Sequence, residues 1–162
     1  MNIEIGIKAP EFAFLNENGD IINLKDFYGK WVVLYFYPKD NTPGCTMEAC
    51  SFRDNYDDLT NFGVVVIGVS PDSGKSHEKF RKLFNLNFYL APDTDKKICE
   101  LYGVIGEKTM FGKKFKGVIR STFIIDTECI VRHVFRKVKV SGHTDEVKKV
   151  LKSLKKINRF ND

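Results

Sequence analysis

Residues Trp31–Cys50 read WVVLYFYPKDNTPGCTMEAC, and they decide how the chain folds. The first eight, Trp31–Pro38, form a continuous apolar run, the pattern of a strand buried on both faces. Val64–Ser70 (VVVIGVS) is a second such run. Between the two, Cys45, Ala49, Phe52, Tyr56 and Leu59 recur at helical spacing, which predicts a helix from Pro43 to about Phe62. Strand, helix and strand in that order make the two strands parallel.

Outward from this unit, helical patterns are predicted over Ser73–Phe84 and Asp93–Tyr102. Strands at Ser121–Asp126 and Ile130–Val138 flank a short turn and so predict an antiparallel hairpin. Near the N-terminus, Glu17-Asn18-Gly19-Asp20 marks another hairpin turn. Gly106–Gly117 (GEKTMFGKKFKG) is rich in glycine and lysine and is expected to be an exposed loop; it lacks the spacing of a phosphate-binding loop. A βαβ core followed by a ββα end is the layout of a thioredoxin-like α/β fold. That implies a central mixed β-sheet with helices on both faces, preceded by an N-terminal β-hairpin. With 162 residues, 43% of them hydrophobic, and no repeat or linker, a single domain over residues 1–162 is expected.

The net charge of +5 comes largely from the tail HTDEVKKVLKSLKKINRF, His143–Phe160. There Val147, Val150, Leu151, Leu154 and Ile157 recur at helical spacing, with lysines on the other face. This is the pattern of a packed helix with a solvated outer side, so no nucleic-acid partner is expected. No run approaches the roughly 20 apolar residues of a membrane span, and no membrane association is expected. The N-terminus, MNIEIGIKAPEF, has neither the basic patch nor the apolar core of a signal peptide, which points to a cytoplasmic protein. In that compartment thiols stay reduced unless they are used.

Cys45 and Cys50 lie five positions apart, just after a Thr-Pro-Gly turn. Thr42 suits the N-cap of a helix, and Pro43 its first position, where the missing N–H costs nothing. Cys45 then falls in the first turn, where unpaired N–H groups and the helix dipole favour a thiolate. Gly44 beside it lets a substrate approach the backbone closely. A zinc site would need four ligands, yet Cys99 and Cys129 are single, and His77, His133 and His143 show no paired spacing. The spacing is also wrong for a Cys-x-x-Cys dithiol. On an ideal helix, residues five apart have Cα atoms about 8.6 Å apart. A disulfide needs roughly 4.4–6.8 Å, so the pair bonds only if the first turns unwind. Two thiols held apart at rest and joined after one reacts are the arrangement of a nucleophile and a resolving cysteine.

Pro38-x3-Thr42-x2-Cys45 resembles the active-site motif of the peroxiredoxins, PxxxTxxC. Cys50, five residues on, is similar to the atypical two-cysteine subgroup called bacterioferritin comigratory protein, or peroxiredoxin Q. VVVIGVSPDSGKSHEKF, DTDKKICELYGVIGEK, GVIRSTFIID and VFRKVKVSGH resemble family segments in the expected order. The resemblance implies a thiol peroxidase acting on hydrogen peroxide and organic hydroperoxides, with thioredoxin or a similar dithiol as reductant and no cofactor or metal. By the same resemblance, Cys45 is the peroxidatic cysteine and Cys50 the resolving one. Thr42 bonds thiolate and peroxide through its hydroxyl, Pro38 shields the pocket, and Arg120 holds the thiolate and the substrate oxygens. Because both thiols lie in one chain, a monomer suffices, and a dimer is compatible.

The chemistry itself asks for such residues. A free thiol with a pKa of ~8.5 is only about 3% ionised at pH 7, so full ionisation gains at most about thirtyfold, or roughly 2 kcal/mol. The rest must come from donors aimed at the oxygens as the O–O bond stretches, which a guanidinium, a hydroxyl and first-turn N–H groups supply. Glu48, one turn beyond Cys45, would by itself disfavour a thiolate and is expected to orient Arg120 or Arg53. Cys99 is expected to be a packing residue. Cys129, in the turn Asp126-Thr127-Glu128-Cys129 where the family commonly has glycine, is expected to be an exposed, oxidisable thiol. Two other functions fit the same features: a protein disulfide oxidoreductase that consumes no peroxide, and a redox-responsive binding or holdase protein whose opened helix exposes apolar surface such as Phe52.

Overall fold

The computed structural model describes residues 3–161, with side-chain surroundings through residue 156. Its centre is a five-stranded sheet ordered β5-β4-β3-β8-β9. These strands are β3 (Trp31–Phe36), β4 (Val64–Ser70), β5 (Tyr89–Pro92), β8 (Ser121–Ile125) and β9 (Val131–Arg136). β3 and β4 run parallel, as the two apolar runs predict, and β5, which the sequence pattern does not mark as a strand, pairs parallel with β4; β8 is antiparallel to β3 and β9 to β8, so the sheet is mixed. A two-stranded sheet of β1 (Ala13–Leu15) and β2 (Ile21–Asn23) forms the N-terminal hairpin.

Alternation along β3 divides the core. Val32, Leu34 and Phe36 pack on one side with Phe12, Leu24, Cys99 and Tyr102. Trp31, Val33, Tyr35 and Tyr37 pack on the other with Cys45, Ala49, Phe52, Phe80 and Leu151. Helices α1 (Pro43–Asp54), α2 (Tyr56–Asn61), α3 (Gly74–Phe84) and α5 (His143–Asn161) therefore cover one face, and α4 (Lys97–Leu101) the opposite one. Ile157, expected on the buried stripe of the last helix, lies outside the described side chains.

Two expectations are corrected. The helix predicted from Pro43 to about Phe62 is two helices, broken at Asn55. The Asn55 side chain donates to the Ser51 carbonyl at 2.8 Å, an acceptor it shares with its own backbone N–H at 3.2 Å, and the apolar spacing continues past the break through Leu59. Gly106–Gly117 is no loop: β6 (Ile105–Met110) and β7 (Lys113–Val118) pair in antiparallel register, Ile105 opposite Val118 and Met110 opposite Lys113. The connection is Phe111-Gly112, both with positive φ (53° and 76°), the backbone of a type I′ turn. Asparagine is the usual first residue there, and phenylalanine hid the hairpin signal.

β-sheet register brings the site together. Phe36 pairs with Ser121 across the antiparallel β3–β8 ladder, so Arg120, one step further, lies level with Tyr37. The chain leaves β3 at that same end, passes Pro38 and enters α1.

Candidate active site

Thr42 occupies the N-cap of α1 in extended conformation, and Pro43 opens the helix, as the sequence predicts. Cys45 lies in the first turn and is 2% exposed. Its Sγ accepts a hydrogen bond from Arg120 Nη2 at 3.2 Å. A Cβ on Gly44 would come within 3.3 Å of that same nitrogen, so a larger residue there would make the guanidinium give way by a few tenths of an ångström.

The other arm of Arg120 is engaged as well. Nη1 donates to Glu48 Oε1 at 2.6 Å, so one guanidinium bridges Cys45 and Glu48 on successive turns of α1. Glu48 thus meets Arg120, while Arg53 turns to Asp54 and to the Phe84 carbonyl. Burial pushes Glu48 up to about 7, against the pull of Arg120. For Arg120 burial works against its charge, but Glu48 and Cys45 outweigh it and hold the guanidinium protonated. Glu48 Oε2 and the Tyr35 hydroxyl are buried without a hydrogen-bond partner. Tyr35 lies under α1, stacked on Phe52 with ring centroids 4.7 Å apart.

The remaining predicted residues lie on the connection from β3 to α1 and on α1 itself. Pro38 is half-buried where β3 ends. The Thr42 hydroxyl donates to the Lys39 carbonyl at 2.9 Å and makes no cap bond to the helix, so its contribution as N-cap is one of position. With its hydrogen so committed, it offers lone pairs as an acceptor. Cys50 is half-buried, and both it and Cys45 are free thiols within the unbroken helix α1.

Asp40, Asp72 and His77 bring potential metal-ligand atoms within 4.8 Å of one another. Those atoms already serve protein hydrogen bonds, from Tyr37, Ser76 and His77 to Asp40 and from Ser70 and the Asp40 N–H to Asp72. The cluster is a hydrogen-bond network.

Residues 5–134 match the AhpC/TSA family. Peroxiredoxin Bcp of Bacillus subtilis is 47% identical over 154 residues, covering 95% of this chain and 98% of the relative. The chain belongs to the peroxiredoxin family. Among solved structures, a Xylella fastidiosa PrxQ mutant superimposes with a TM-score of 0.87 at 35% identity, covering 98% of this chain and 99% of the other. A Xanthomonas campestris bacterioferritin comigratory protein, studied for its alkyl peroxide reduction activity, gives 0.83 at 40% identity and covers 88% and 90%. This peroxiredoxin is thus of the bacterioferritin comigratory protein, or peroxiredoxin Q, type, has the thioredoxin-like fold of its relatives, and is a thiol-dependent peroxidase. Among its described residues no helix is long and apolar enough to cross a membrane.

The other two cysteines of this peroxiredoxin lie on the opposite side of the sheet from Cys45. Cys99 is fully buried, as expected of a packing residue, and burial together with the hydrogen bond and charge of Asp93 pushes its thiol well up. Cys129 corrects the expectation of an exposed thiol: it is 8% exposed and part of the core, and burial raises its pKa. Its φ of +66° is the conformation for which glycine is the usual choice. Tyr35 and Asp40, both buried near α1, are not marked as special by the sequence pattern. Asp40 had a legible position, inside the Pro38–Thr42 motif, but Tyr35 was one more aromatic residue in an apolar run.

Proposed function

We propose that this peroxiredoxin reduces hydrogen peroxide and organic hydroperoxides through Cys45, with Cys50 as the resolving thiol. The observation that carries the reading is the Arg120–Cys45 hydrogen bond of 3.2 Å in the first turn of α1. The Cys45 thiolate attacks the terminal oxygen of ROOH; an S–O bond forms, the O–O bond breaks, and RO⁻ leaves and takes a proton to become ROH. Two electrons pass from sulfur to oxygen, and Cys45 becomes a sulfenic acid. Arg120 is positioned to stabilise negative charge spreading onto the oxygens, the first-turn N–H groups add to it, and the Thr42 hydroxyl accepts a hydrogen bond from the peroxide O–H. Pro38 restricts the approach of water.

In the second half, the first turns of α1 unwind and the Cys50 sulfur displaces the Cys45 hydroxyl as water, forming the disulfide. Thioredoxin or a similar dithiol then restores both thiols by exchange and leaves as a disulfide itself. The alkyl peroxide activity of the Xanthomonas relative supports organic hydroperoxides as substrates. Peroxide consumption driven by dithiothreitol tests the reading: Cys45→Ser abolishes it, whereas Cys50→Ser, given peroxide with no dithiol present, still oxidises once at Cys45. Undiminished consumption by Cys45→Ser would overturn the assignment.

A further inference from the structure

A buried cluster that this chemistry leaves unused lies beside the loop joining β3 to α1. Asp40, between Pro38 and Thr42, is 6% exposed. Its Oδ1 accepts from the Tyr37 hydroxyl at 2.6 Å, and its Oδ2 from the Ser76 hydroxyl and lies against His77 Nδ1, both at 2.7 Å. His77, on α3, is 1% exposed, and its other nitrogen, Nε2, lies 3.2 Å from the Ala91 carbonyl of β5.

A carbonyl has no proton to give, so Nε2 carries a hydrogen. Burial alone would raise the Asp40 pKa, but hydrogen bonds from His77, Tyr37 and Ser76 and the charge of His77 bring it below its ordinary value. An ionised carboxylate can only accept, so Nδ1 donates to it. Both side chains of the pair are removed from water. The backbone is tied at the same point: the Asp40 N–H donates to Asp72 Oδ2 at 2.8 Å, and the Ser70 hydroxyl donates to that oxygen at 2.5 Å. Asn41, next along, is held at a φ of +59°.

We propose that His77 is a positioning residue for the peroxidase reaction: paired with Asp40, it fixes the Pro38–Thr42 loop in the shape that sets Cys45 for attack, and it marks the near end of the segment that unwinds. The inference rests on the Cys45–Cys50 cycle proposed above. The far end is anchored as firmly. Ser51 and Thr144 share a hydrogen bond of 2.6 Å, Phe52 is fully buried, and Arg53 donates to the Phe84 carbonyl at 2.6 Å. Between the anchors, Asn41, Pro43 and Met47 are exposed and Thr42, Gly44, Thr46 and Cys50 half-buried, so only Cys45, Glu48 and Ala49 leave the core on opening.

The pair acts on the closed loop, so its loss slows attack on peroxide and leaves disulfide formation, which needs the open helix, undiminished. Rapid-quench mass spectrometry of reduced protein with hydrogen peroxide separates the two steps. His77→Phe and Asp40→Asn are expected to oxidise at Cys45 about 10- to 100-fold more slowly. Their sulfenic acid should pass to disulfide at least as fast as in wild type. His77→Asn, whose amide can stand in for Nδ1–H, recovers part of the first rate. Asp40→Asn, which keeps the side chain's shape, decides the matter should His77→Phe not fold. Wild-type oxidation rates in the folded variants, or equal slowing of both steps, would overturn the proposal. A wild type that does not oxidise at Cys45 would instead remove the cycle beneath it.

Discussion

Arg120 spans two groups with different demands, Cys45 Sγ at 3.2 Å and Glu48 Oε1 at 2.6 Å. A fork with two donors on separate nitrogens can serve both at once; a lysine ammonium at one point cannot. Arg120→Lys is therefore expected to lower the second-order rate with peroxide by about 100-fold, the scale seen when a transition-state donor is removed. Stopped-flow oxidation of the folded variant checks this, and a loss below threefold would mean that charge alone suffices. Glu48→Gln keeps an acceptor for Arg120 and removes the charge. Turnover should fall on the order of tenfold, since hydrogen bonds to charged groups contribute about 1.5 kcal/mol or more. Unchanged kinetics would show that Glu48 does not orient the guanidinium.

In the proposed cycle, helix α1 has to be stable enough to hold Cys45 in its first turn and weak enough to open there. Oxidation to the Cys45–Cys50 disulfide should remove the far-ultraviolet circular dichroism of about two helical turns, and dithiothreitol should restore it. Cys50→Ser should show no such loss. This helix was legible because its apolar spacing, its cap and its proline agree; its end at Asn55 was not, because the apolar spacing runs on through Tyr56 and Leu59 into the next helix. The β6–β7 hairpin was illegible for a different reason. Its pairing is made by backbone, its faces carry lysines, and its turn puts a 96%-exposed Phe111 at a φ of +53°. Phe111→Asn supplies the residue that this turn favours and gives up no buried contact. It is expected to stabilise the protein by ~0.5–1 kcal/mol in urea denaturation. Arg120 and Cys45 were legible through the family motif, whereas the bridge to Glu48 was expected only as one of two choices, since the sequence does not say which arginine the β3–β8 register delivers.

Over the whole molecule, the buried acids couple stability to pH in opposite directions. Glu48 is raised from 4.5 to about 7 by burial, so between those values the folded chain keeps a proton that the unfolded chain releases. Stability from this group is thus present below 4.5 and lost as pH rises through about 7. Urea denaturation at pH 5 and pH 8 should show the difference between wild type and Glu48→Gln moving toward the glutamine variant at the higher pH. A difference independent of pH would contradict the raised value. Asp40 is held below its usual 3.8, so its contribution is present above that pH and lost as pH falls through the folded value. Joining fold, site and cycle is the claim that one intact helix carries two thiols that meet only after one of them has reacted. Peptide mass spectrometry of reduced protein given one equivalent of hydrogen peroxide tests it most directly, with wild type, Cys45→Ser and Cys50→Ser in parallel. Loss of two hydrogens mapped to a Cys45–Cys50 disulfide, with sulfenic acid trapped at Cys45 in Cys50→Ser, is the predicted result. Rapid oxidation elsewhere, or none at Cys45, would contradict it.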